Sequence, residues 1–213
     1  FRSFKFDAVT GFWLNGKNMK INGVCDHHDL GCLGAAIHKD AIIRKLSLLK
    51  EMRCNAIRCS HNPPAPELLD ACDSLGFIVM DESFDMWHQK KTKNDYARFF
   101  DKWFERDLTD LVVRDRNHPS IVMWETTLNE SWPPAEWKDG VVKIAHEELP
   151  GDQCFTSGDS YGYKGFDVCY NDWEEGFKRP NNSGKPGFIR EYYDYEFGGH
   201  YSTTRIRRGD GEK

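Results

Sequence analysis

Two glutamates stand where short apolar runs of strand character end. Glu130 closes Ile121-Val-Met-Trp-Glu-Thr-Thr-Leu-Asn129-Glu130, and Glu191 closes Gly187-Phe-Ile-Arg190-Glu191. Two carboxylates at the C-terminal ends of parallel strands can cleave a glycosidic bond. One protonates the leaving oxygen, and the other attacks the sugar from roughly 5–5.5 Å away when configuration is retained. The two roles need opposite environments. A nucleophile stays ionised beside a cation, and an acid keeps its proton through desolvation or nearby negative charge. Trp124, Trp132, Pro133 and Pro134 surround Glu130 in the sequence with apolar surface, which suits the acid. Each glutamate also has a plainer reading. Glu130 could sit at a helix N-terminus, favoured by the dipole, and Glu191 could pair with Arg190 at a strand end.

The elements that would carry these residues alternate in period. Asn15-Gly16 between alternating runs is a hairpin signal. Asp40 to Met52 places Ile42, Leu46 and Leu49 on one helical face. Asn55 to Ser60 reads as a strand, and Pro64 to Leu75 as a helix closed by Gly76. Phe77 to Met80 is a short buried strand leading into Asp81-Glu82. Tyr96 to Val113 is the longest helix, Ile121 to Trp124 a strand, and Trp137 to Leu149 a helix stopped by Pro150-Gly151. Short strands follow near residues 154–157, 166–169 and 188–190. Counting from Lys20 this makes seven strands, and strand–helix alternation means parallel strands joined by crossovers. A doubly wound sheet and a (β/α)8 barrel both fit; chemistry at the ends of many strands favours the barrel. The fold expected is therefore an α/β TIM barrel that stops before its eighth strand. Residues 1–10 are read as the end of a preceding β-sandwich domain or linker, and residues 11–213 as the barrel, incomplete at its C-terminus.

Composition narrows the field. The chain has 213 residues, 30% of them charged, with a formal net charge of -5, which argues against a general nucleic-acid binder. Seven cysteines contain no Cys-x-x-Cys pair, so zinc-ribbon and thioredoxin readings fail and buried free thiols are expected. No run reaches a membrane span, and no signal peptide opens the chain. A cytoplasmic or periplasmic location is left open, as is association of copies.

Five segments, in order, resemble the catalytic barrel of glycoside hydrolase family 2, which includes β-galactosidases, β-glucuronidases and β-mannosidases. They are Gly23-Val-Cys-Asp-His27-His28-Asp-Leu-Gly, Asn55-Ala-Ile-Arg58-Cys-Ser60-His61-Asn-Pro63, Val79-Met-Asp81-Glu82, Arg114-Asp-Arg-Asn-His118-Pro119-Ser-Ile and Asn129-Glu130. Arg190-Glu191-Tyr192 resembles the family's nucleophile strand. The resemblance implies Glu130 as general acid/base, Glu191 as nucleophile and Asn129 as the ligand of the sugar 2-hydroxyl. It also implies His27, Arg58 and His61 around the sugar, with Arg58 near the carboxylates. His27 and His28 are adjacent, so at most one faces the site. Asp81 and Glu82 are read as a buried charge network supporting Arg58, and Arg114 to His118 as structural.

The sequence departs from the family's pattern in places. Four residues separate Trp124 from Asn129 where the family has three, which calls for a bulge. Tyr192 stands where a small residue is common. Tyr170 is a candidate for the family's site-facing tyrosine. Some family β-galactosidases hold Mg²⁺ near the acid/base through a Glu and a His. Met86 occupies the Glu position here beside His88, and a thioether is a poor ligand for a hard cation. No cofactor or metal is expected. The activity implied is that of a retaining exo-β-glycosidase, β-galactosidase-like, acting on a carbohydrate substrate. Alternatives are a β-glucuronidase or other family 2 glycosidase, or a non-catalytic carbohydrate-binding fragment. A metal hydrolase barrel using His27, His28, His61 and Asp81 is disfavoured, because adjacent histidines cannot both face one ion.

Overall fold

A computed structural model of the 213-residue chain describes residues 2–86, 90–128, 135–151, 154–156, 165–170 and 184–190, with only the backbone at 127, 128, 135–138 and 170. An antiparallel sheet comes first: β1 (Phe4–Asp7), β2 (Gly11–Leu14) and β3 (Lys17–Asn18). Asn15 and Gly16, at φ 49° and 76°, make the turn between β2 and β3. Both are in the left-handed region that an Asn-Gly hairpin turn requires.

Five parallel strands follow in the order β4 (Gly23–Asp26), β5 (Ala56–Cys59), β6 (Ile78–Phe84), β7 (Ile121–Leu128) and β8 (Phe155–Thr156). The helices α1 (Lys39–Glu51), α2 (Pro66–Leu75), α3 (Phe100–Asp115) and α4 (Ala135–Glu148) lie between or beyond them in the chain. β9 (Cys169–Tyr170) pairs in parallel with β10 (Gly187–Phe188). The Asp167 N–H donates to the Phe155 carbonyl at 2.9 Å, linking β8 to the approach of β9. The strands therefore run in sequence order. The wall curls round, because Arg190, just past β10, meets Cys25 of β4 on one side and Glu125 of β7 on the other.

Period-two alternation sorts the side chains, interrupted once in β7, where Val122 and Met123 both join the inner cluster beside a register shift. Ile57, Cys59, Val79, Ile121, Trp124 and Phe155 point outward into one apolar cluster with Leu46 of α1, Leu69 of α2, Leu108 of α3 and Val141 of α4. Leu46, Leu69, Leu108 and Phe155 are wholly buried, and each contributes roughly 1.5–3 kcal/mol. Ala56, Ile78, Met80, Met123 and Val168 point inward and meet Phe12 of β2. The N-terminal sheet thus caps one end of the barrel interior.

Two element starts differ from the sequence expectation for visible reasons. β4 begins at Gly23 rather than Lys20, because the Asn55 amide takes up the neighbouring backbone, bonding the Asn22 N–H and the Lys20 carbonyl. The α3 helix begins at Phe100; Tyr96–Arg98 form a 3-10 turn whose first N–H groups are held by Asp95. The bulge called for before Asn129 is present. β7 slips relative to β6 between Glu82↔Glu125 and Phe84↔Leu128, where one residue of β6 opposes two of β7.

Candidate active site

The inward faces change character along the barrel. Above the apolar layer, β5, β6, β7 and the end of β10 contribute Arg58, Glu82, Glu125 and Arg190, all 5% exposed or less. Arg58 Nε stands 2.9 Å from Glu82 Oε2, and its Nη2 donates to Glu82 Oε1 at 3.0 Å. It also lies 3.8 Å from Glu125 Oε2. Arg190 Nη1 donates to Glu125 Oε1 at 3.0 Å. Two guanidinium groups and two carboxylates therefore share a water-poor layer in the C-terminal halves of the strands, toward the end where barrel enzymes place their chemistry.

The surroundings shift these groups. Burial disfavours the Arg58 charge, but Glu82 and then Glu125 more than offset it, so the guanidinium stays charged. Burial, and then repulsion from Glu82, push the Glu125 carboxyl up to about 7 against the pull of Arg190, Arg58 and His61.

His61 completes one side. Its Nδ1 lies 3.1 Å from both Arg58 Nη2 and Glu82 Oε1, and its ring meets that of His27 edge-on with centroids 5.1 Å apart. His27, Arg58, His61 and Arg190 line one cavity of about 1150 Å³ that runs down to Phe12. The structure brings together His27, Arg58 and His61 along this cavity, and Arg58 points inward. Asn129, Glu130 and Glu191 lie outside the described residues, as does the side chain of Tyr170; its backbone pairs with Phe188.

One part of the expected charge network needs correction. Glu82 supports Arg58, but Asp81 does not. Successive strand residues face opposite sides, so Asp81 turns out toward α3. There burial, and then Asp115, raise its pKa well above the ordinary carboxylate value, with Arg114 offsetting part of the effect. Arg114 clasps Asp115 and donates to the Pro64 carbonyl, and His118 holds Asp73 at 2.7 Å; these residues tie helices to loops. Met86 is buried in the apolar cluster, which suits packing rather than ligation.

Glu125 was missed. The sequence places the strand at Ile121 to Trp124, short of Glu125, and offers Arg190 only as an ion-pair partner of Glu191. The available signal was a pair of opposite charges set inside two strand patterns.

The family model for glycosyl hydrolases family 2, TIM barrel domain, matches residues 8–147. The chain belongs to glycosyl hydrolase family 2. Its family 2 barrel is 64% identical over 137 residues to the beta-galactosidase BoGH2A of Bacteroides ovatus, covering 63% of this chain and 16% of that protein. It is 33% identical over 152 residues to a beta-galactosidase of Thermoanaerobacterium thermosulfurigenes, covering 71% and 20%. Among solved structures, a beta-glycosidase from Bacteroides vulgatus superposes with a TM-score of 0.75 at 44% identity, over 80% of this chain and 22% of that one. The family 2 barrel described here thus spans about a fifth or less of the length of its curated relatives.

Proposed function

We propose that the protein is a retaining exo-β-glycosidase, β-galactosidase-like, that releases terminal β-linked sugars by double displacement. One observation carries the reading. The buried Arg58–Glu82–Glu125–Arg190 layer lies in the C-terminal halves of β5, β6 and β7 and just past β10, in a chain whose β7 and β10 lead into Asn129-Glu130 and Glu191. Family membership supports it, and so does the beta-galactosidase name of two relatives.

In this reading Glu191 attacks the anomeric carbon while Glu130 protonates the departing oxygen. Glu130 then takes a proton from the water that breaks the glycosyl-enzyme ester, so two inversions leave the configuration unchanged. Arg58 holds positive charge beside the carboxylates and favours the ionised nucleophile. His27, His61, Asn129 and Tyr170 surround the sugar.

A panel of nitrophenyl glycosides offered to the full-length protein tests this, with β-galactoside hydrolysis and a β-configured first product expected. Glu191→Gln should lose activity on every substrate, since a nucleophile is needed whatever the leaving group. Glu130→Ala should still accept activated aryl glycosides and give the β-glycosyl azide with added azide, because azide needs no general base. Preference for the β-glucuronide would replace the sugar assignment. An α-azide from Glu130→Ala would overturn the assignment of the two roles.

A further inference from the structure

The carboxylate of Glu125 has no place in the double displacement as written, yet it is 1% exposed and lies in the layer that carries the chemistry. Its Oε1 accepts from Arg190 at 3.0 Å. Its Oε2 stands 3.8 Å from Arg58 and has no hydrogen-bond partner among the described residues. The other end of Arg190 is fastened as well, for its carbonyl accepts from Cys25 Sγ at 3.4 Å. The residue immediately before Glu191 is therefore tied through its side chain to β7 and through its backbone to β4. Burying such a pair contributes little to stability compared with apolar residues of similar volume, because both ions lose their hydration. A task in the site accounts for it better.

We propose that Glu125 is a positioning residue: by holding the Arg190 guanidinium inside the barrel, it fixes the strand end that leads into Glu191 and sets the charge beside Arg58. The groups facing it are Glu82 from β6, Arg58 and His61 from β5 and its following turn, and Arg190 from the end of β10. On β8 its register partner is the uncharged Thr156. With both glutamates ionised, the two arginines are balanced. With Glu125 protonated, the layer carries one net positive charge.

The inference rests on the glycosidase reading, and the experiment separates the two. Glu125→Gln in the full-length protein keeps the side-chain shape and removes the charge. We expect kcat on a nitrophenyl glycoside to fall by about tenfold or more while KM stays within about threefold, as for an interaction made in the transition state. The pH profile of kcat/KM should shift as well, which a purely structural role would not produce. The rate at which a 2-fluoro-2-deoxy glycoside traps the nucleophile should slow in parallel. If Glu125→Gln does not fold, Glu125→Asp and Arg190→Lys take its place, with the same loss of kcat expected. A folded variant with wild-type kcat and an unchanged pH profile overturns the inference while leaving the glycosidase reading intact. A wild-type protein inactive on every glycoside sinks both.

Discussion

At the scale of single residues, the charged layer ties stability to pH through Glu125. Its carboxyl is raised from 4.5 to about 7, by burial first and then by Glu82. The folded protein therefore keeps a proton that the unfolded chain releases. The sign follows from linkage: the contribution is fully present below about pH 4.5 and is lost as pH rises through about 7, with a ceiling of about 3 kcal/mol for this one group. Urea titrations at about pH 5 and about pH 8 should show wild type losing stability across that window. Glu125→Gln should lose less, because an amide does not titrate. An unchanged pH difference in the variant would assign the proton to another group, such as the buried Asp81.

At the scale of elements, two glycines set positions that a side chain would disturb in different ways. Gly76 ends α2 at φ +76°, and a Cβ there would meet nothing within 4 Å. Gly76→Ala therefore costs only the left-handed backbone, about 1–2 kcal/mol, and should leave activity as it is. Gly23 opens β4, and a Cβ there would lie 2.9 Å from both the Cβ and the carbonyl oxygen of Ala56. Gly23→Ala must push β4 away from β5. The cost is about 1–3 kcal/mol of overpacking, and the strand that leads to His27 moves with it. Denaturant midpoints compare the two variants, and KM for a nitrophenyl glycoside should rise only for Gly23→Ala. A Gly23→Ala protein as stable as wild type would mean that the two strands separate at no cost.

At the scale of the whole molecule, the helices seal the outer face of the barrel, and the thiols report that seal. Cys59, Cys72, Cys154 and Cys169 are buried, whereas Cys25 and Cys32 are exposed. Burial raises the Cys59 and Cys154 thiols well above their ordinary range and pushes Cys72 up to about 12, and only the thiolate reacts. In the native protein, mass spectrometry after maleimide treatment should find Cys32 modified and those four intact. Denaturation should expose Cys59 and Cys72 together, because both belong to the outer cluster, while Cys154 reports on the inner one. Early labelling of Cys72 alone would show that α2 opens independently.

Hydrophobic period and turn chemistry are local properties, so the chain by itself determined the order of strands and helices, the Asn15-Gly16 turn, the Gly76 cap and the inward direction of Arg58. The extra residue between Trp124 and Asn129 also announced a bulge, since alternation must be repaired somewhere. What no local pattern contains is which distant charges meet. Glu125 and Arg190 are 65 positions apart in the chain, and only closure of the wall brings β10 opposite β7 and puts both charges in one dehydrated layer. The same closure decided that Glu82 supports Arg58 while its neighbour Asp81 faces Asp115. Alternation separates the two faces of a strand, but only the packed barrel decides which face is the site and what charge waits there.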